Sequence, residues 1–228
     1  MLKPSLEKVK ALAKQYNTIP VFYEFSADNQ TPLNIYTALS KDSRNSFILE
    51  SVSNGVQWDR YSFVGVSPKE EICITGNTAE IRTGDKIETK EVEQPIAFLK
   101  ERMAAYRSPV LEGAPNFTGG LIGYFGYDTV RYMEKKLTHV PEDDIHMPDC
   151  HLFLYEELLA YDHLTSNGIV ILNLHTDGDL GAQYAAAQWR AEELADIVRH
   201  YNPQPQIRQH HGEAVVRSNL TKEHYSQM

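Results

Sequence analysis

The sequence predicts an α+β protein of layered, mostly antiparallel β-sheets flanked by helices, and three features carry that expectation. Short runs from Glu71 to Thr75, Ala79 to Thr83 and Lys86 to Val92 are separated by the turn pairs Gly76-Asn77 and Gly84-Asp85. Their alternation of apolar and polar residues is that of an antiparallel meander with one wet face. Ile169-Val170-Ile171-Leu172, reached through Asn167-Gly168, is apolar without alternation and belongs at the centre of a sheet. From Asp179 to about Tyr201 the period changes to that of a helix, with Tyr184, Ala187, Ala191, Leu194, Val198 and Tyr201 on one side.

The remaining elements follow in chain order. Ser5 caps a helix in which Leu6, Val9 and Leu12 recur, and Pro20 to Phe25 reads as a strand. Thr31-Pro32 joins a capping hydroxyl to a proline at the first helical position, with Leu33, Tyr36 and Leu39 at helical spacing behind it. Ser46-Phe47-Ile48-Leu49 and Tyr61-Ser62-Phe63-Val64 flank the turn signal Ser53-Asn54-Gly55 and are expected to pair as a hairpin. Pro95 opens a helix with Ile96, Leu99, Met103 and Tyr106 on its buried stripe, and Ser108 to Thr118 is a loop. Gly119 to Asp128 spaces Gly120, Gly123 and Gly126 three apart, which is not the G-x-G-x-x-G of a dinucleotide fold. Glycines so placed suit a core strand whose main chain is closely approached. The apolar run Leu152 to Tyr161 ends at Asp162-His163, Asn202 to His211 reads as a linker, and Ser218 to Thr221 as a helix start.

The 228 residues allow one large domain or two small ones. Lys and Arg number 22 against 31 Asp and Glu, a net charge of −9 without an acidic tail, which argues against nucleic acid or an anionic membrane as partner. Cys73 and Cys150, far apart in the sequence, make no disulfide framework, and no apolar run reaches the ~20 residues of a membrane span. A cytoplasmic protein is expected.

Candidate binding chemistry gathers around the first hairpin. Glu50 and Ser51 fall where its first strand ends and Arg60 just before the second begins, so an acceptor, a hydroxyl and a guanidinium are expected near one rim. That set suits an amino acid, with an ammonium to receive and a carboxylate to hold. Ile48-Leu49-Glu50-Ser51 and Arg60-Tyr61-Ser62-Phe63-Val64-Gly65 resemble the amino-terminal region of anthranilate synthase component I, and Gly119 to Asp128 is similar to a second segment of that family. The resemblance implies that Ser51, with Glu50 and Leu49 beside it, lines an allosteric L-tryptophan feedback site. It implies further that the complete enzyme is a lyase of tryptophan biosynthesis, converting chorismate and glutamine or ammonia nitrogen into anthranilate and pyruvate. A glutamine amidotransferase subunit would be its partner and Mg2+ its cofactor.

On the same resemblance, residues 1–201 form the family's amino-terminal region, 202–217 a linker and 218–228 the start of a truncated chorismate-binding catalytic region. No catalytic residue and no metal ligand is expected here, and the fragment alone is expected to be inactive. Aminodeoxychorismate synthase component I of the folate pathway, or a stand-alone amino-acid-binding regulatory module, are the alternatives. Among other candidates, His146, Asp149, Cys150 and His151 have metal-ligand types, but strand alternation keeps Cys150 off the face shared by Asp149 and His151. No G-x-S-x-G elbow occurs, and His163 beside Asp162 reads as the end of a surface hairpin.

Overall fold

The computed structural model describes residues 1–50, 60–134, 136–137, 143, 145–203 and 217–227. Its elements run α1 (Leu6–Leu12), β1 (Thr18–Ser26), α2 (Pro32–Leu39), β2 (Ser46–Leu49), β3 (Tyr61–Val66), β4 (Glu70–Thr75), β5 (Thr78–Thr83) and β6 (Lys86–Glu91). Then come α3 (Pro95–Ala104), β7 (Gly120–Phe125), a 3₁₀ turn (Tyr127–Tyr132), β8 (Cys150–Tyr155), β9 (Glu157–Asp162), β10 (Asn167–His175), α4 (Leu180–Arg199) and α5 (Lys222–Gln227). Side chains close the helix starts by taking up otherwise orphaned N–H groups. Thr31 Oγ1 accepts from Asn34 N at 3.2 Å, Asp179 Oδ1 from Gly181 N at 2.8 Å, and Thr221 Oγ1 from His224 N at 3.2 Å.

The strands form two five-stranded sheets, ordered β1-β10-β9-β3-β2 and β6-β5-β4-β8-β7, and every pairing is antiparallel. This is the layered α+β class that the sequence predicts. Helices α1, α2 and α4 cover one face of the first sheet, where Val9, Val21, Ile35, Val170, Leu194 and Val198 pack. Its other face meets Phe153, Ile122 and Phe117 around Ile171, Leu158 and Tyr155. Helix α3 covers the second sheet, through Leu99 and Phe98 against Ile72, Ile74, Ile81 and Leu152. The continuous apolar run Leu152 to Tyr161 is two strands: β8 ends at Tyr155 in the second sheet and β9 begins at Glu157 in the first. Glu156 is therefore the residue at which the chain changes sheets.

Three local expectations are corrected. Asn167 and Gly168 are not the hairpin turn but the first residues of β10, opposite Asp162 and Tyr161, and Ser166, with φ 55°, completes the bend. Helix α2 buries Pro32, Ile35 and Ala38, and Leu33 is 58% exposed, so its inner stripe lies one position round from Leu33. The glycine-rich β7 is an edge strand, not a core one. Close approach does hold at Gly123, but from the neighbouring strand: a Cβ there would lie 2.0 Å from the His151 carbonyl oxygen.

Candidate functional site

The first hairpin forms as expected, with Ser46 opposite Val66 through Leu49 opposite Phe63. Leu49 closes β2 half-exposed, and Glu50 follows it exposed. Ser51, the third expected site residue, lies outside the described residues, as do the turn signal Ser53-Asn54-Gly55 and the linker histidines His210 and His211.

Arg60 does not stand free at this rim. Its guanidinium grips Asp162 at the end of β9 in a two-pronged pair, Nε to Oδ1 at 2.9 Å and Nη2 to Oδ2 at 2.6 Å, and lies 4.9 Å over the Tyr61 ring. Asp162 is 2% exposed, not a surface residue, and also accepts from Leu164 N at 3.0 Å. Burial works against its ionisation, but the bonds from Arg60, Leu164 N–H and Thr165 outweigh it and hold the carboxyl below the usual range. The bond to Asp162 raises Arg60 in turn. An amino-acid carboxylate at this rim would have to compete with a buried carboxylate for Arg60. The expected trio of Glu50, Ser51 and Arg60 is thus reduced, and Arg60 becomes the anchor of the hairpin root.

A second clasp lies one residue on, where the Ser62 hydroxyl is 2.7 Å from His163 Nε2 and His163 N donates to Arg60 O at 2.9 Å. Serine, histidine and aspartate are close here, yet the set is no hydrolytic triad: Ser62 is 1% exposed and the Asp162 carboxylate is spent on Arg60 and Leu164. Sequence reasoning missed the anchoring role of Asp162 and His163. Their position directly after an apolar run was the available signal, but the partners only emerge from the β3–β9 pairing, about a hundred residues apart.

The His146–His151 group disperses. His146 is exposed beside Asp143, Asp149 accepts from Gly76 N (2.6 Å) and the Tyr132 hydroxyl (2.7 Å), and His151 Nε2 meets Glu71 at 2.7 Å. Cys150 faces the core, where burial pushes its thiol up to about 11, far from the thiolate a soft metal needs. Among the described residues no three His, Cys, Asp or Glu side chains stand together as a metal site. Cys73 and Cys150 are free thiols on neighbouring strands but on opposite faces, since the register opposes Cys73 to His151 and Ile74 to Cys150. No helix among the described residues is long and apolar enough to cross a membrane.

The fold is a pair of antiparallel sheets flanked by helices, with Leu49 and Glu50 at the rim of the first hairpin. The family model described as chorismate binding enzyme matches residues 53–228, and the chain belongs to that family. It is 38% identical over 187 residues to "Anthranilate synthase component 1" of Acetivibrio thermocellus, covering 82% of this chain and 37% of that protein. To the protein of the same name from Pseudomonas aeruginosa it is 37% identical over 196 residues, covering 85% of this chain and 39% of the relative. A solved structure, anthranilate synthase component I from Streptococcus pneumoniae TIGR4, aligns over 77% of this chain and 36% of that chain, with 26% identity and a TM-score of 0.47. The chain therefore spans under two fifths of the length of these relatives.

Proposed function

We propose that this chain is the scaffold and tryptophan feedback portion of an anthranilate synthase component I. The observation that carries the proposal is the 38% identity to a protein of that name over 82% of the chain. In this reading the complete cytoplasmic enzyme is a lyase of tryptophan biosynthesis that converts chorismate and ammonia or glutamine nitrogen into anthranilate and pyruvate. A glutamine amidotransferase subunit delivers the nitrogen, and Mg2+ assists in the part of the protein that holds the catalytic groups. Among the described residues no three His, Cys, Asp or Glu side chains stand together, and no step is assigned to the ion here. Residues 1–201 serve as scaffold, 202–217 connect, and 218–228 begin the catalytic region; the family match, from residue 53, runs across that connection. The 228 residues alone are inactive.

The inhibitor site in this reading consists of Ser51, Glu50 and Leu49. Exposed Glu50 offers an acceptor to the ammonium of L-tryptophan, and half-exposed Leu49 an apolar contact. The Arg60–Asp162 pair leaves the inhibitor's carboxylate to other donors and fixes the end of the hairpin on which these residues are carried. Feedback requires tryptophan to bind one arrangement of the subunit more tightly than another, because equal affinity shifts nothing.

Replacement Ser51→Phe in the complete enzyme is expected to fill the pocket, moving the tryptophan inhibition curve at least tenfold while leaving uninhibited turnover near its original value. An unchanged curve removes Ser51 from the site. Identification of the product in the same assay tests the pathway, since aminodeoxychorismate in place of anthranilate would move the protein to folate synthesis.

A further inference from the structure

Asn17 Oδ1, Thr18 Oγ1 and Ser108 Oγ are buried and have no hydrogen-bond partner among the described residues. Asn17 N and Thr18 N both donate to Arg107 O, at 3.1 and 3.2 Å, which sets Ser108 against the start of β1. Thr18, at 3% exposure, and Ser108 line one cavity of about 50 Å³, bounded also by Met103, Tyr106, Gly119 and Asn173. The cavity sits at the seam where β8 hands the chain to β9, with Glu156 in its wall.

Two polar groups of the wall are already engaged. Asn173 Nδ2 donates to Thr118 O at 2.7 Å and to Glu156 O at 2.9 Å. Glu156 Oε1 lies 2.8 Å from Lys69 Nζ and 2.8 Å from His175 Nε2. Gly119 keeps the space open, since a Cβ there would come within 2.9 Å of Asn173 Nδ2 and 3.0 Å of Tyr155 O.

We propose that this pocket is a hydration site in which one or two ordered waters bridge Thr18 Oγ1 and Ser108 Oγ. A buried hydroxyl left without a partner is costly, and folded proteins fill such polar spaces with water. The size fits, since one water needs about 10–15 Å³ of such space. The chemistry fits as well, because the only charged side chain lining it, Glu156, is paired, leaving no free cation to draw an anion. The waters fasten the segment after α3 to the first residues of β1 and so tie α3, which covers the second sheet, to the first sheet.

The sign of one substitution tests this. Val matches Thr in shape and suits a strand at least as well. If Thr18 Oγ1 were dry, Thr18→Val would remove an unsatisfied group and leave the chain as stable or more stable. If it binds water, Thr18→Val strands that water, and the unfolded-to-folded ratio in denaturant titration is expected to rise about tenfold, whereas Thr18→Ser keeps most of the bridge. Stabilisation by Thr18→Val overturns the proposal. The second measurement does not depend on a variant folding: a high-resolution crystal structure of the chain should show water within 3.2 Å of both hydroxyls. A dry cavity, a hydroxyl turned onto a protein acceptor, or a non-water molecule in the space would overturn it.

Discussion

The two sheets have the same strand count and the same antiparallel pairing, yet they are built to opposite plans. In the first, β10 is buried on both faces, sending Val170, Leu172 and Leu174 toward the helices and Ile169 and Ile171 toward the second cluster. Its β1 edge is closed by the amino terminus, where Lys3 and Phe22 exchange backbone hydrogen bonds at 2.9 and 2.7 Å. In the second, burial alternates along β4 and β5, and β6 is exposed at every position. The edge it leaves open carries Lys86, Glu88, Lys90 and Glu91, charges that discourage pairing with another chain. A strand covered on both sides can spend nearly every residue on packing; a strand covered on one side must hold its place with half of them.

The largest expected effect comes from testing that difference in the two cores. Ile171 and Ile81 are both essentially buried, in β10 and β5. Ile171→Ala is expected to cost about 4 kcal/mol and Ile81→Ala about 2, because the smaller one-sided cluster can relax into the space. Urea unfolding of both variants checks it. Equal costs would erase the distinction, and a separate early transition for Ile81→Ala alone would sharpen it by showing that the second sheet melts by itself.

Next in size is the anchor that joins β3 to β9. Asp162→Asn keeps the shape but removes the charge facing Arg60, at an expected cost of about 2 kcal/mol at neutral pH, since a buried partner loses charge-assisted bonds. The native carboxyl is held below its ordinary value, so its contribution is complete above the unfolded value of about 3.9 and is lost as pH falls through the lower folded value. Asp162→Asn should therefore differ from the parent by its full amount above about pH 4 and converge on it as pH falls below that value. A constant gap across that range would mean the pair does not stabilise through its charge.

Much of this was legible in the sequence, and the gaps have physical causes. The meander, the central β10, the caps of α1 and α2 and the first hairpin all announce themselves through short-range signals: turn residues, alternation, a hydroxyl before a helix. The sheet change at Glu156 was hidden because a strand buried in one sheet and a strand buried in the next read as a single apolar run. Arg60 reads as a ligand group in the sequence because a guanidinium at a strand end advertises charge but not its partner, and Asp162 reaches it only through the register of strands far apart in the chain. Of the proposed inhibitor site, Leu49 and Glu50 fall at the hairpin end that the sequence expected.

The smallest expected effect lies on the wet edge. Glu88 and Lys90 approach to 3.0 Å on β6, with side chains 58% and 45% exposed. Both pairs are in contact, through one approach here and through two at 2.9 and 2.6 Å for Arg60 and Asp162. Solvent separates them: water screens the β6 pair and leaves both side chains free to give up entropy for little return. Glu88→Gln is expected to change stability by less than about 0.5 kcal/mol, with no acid-side convergence of the kind expected for Asp162→Asn. A loss near 2 kcal/mol would show that β6 is covered in solution rather than bathed, and the contrast between a two-sided and a one-sided sheet would have to be redrawn.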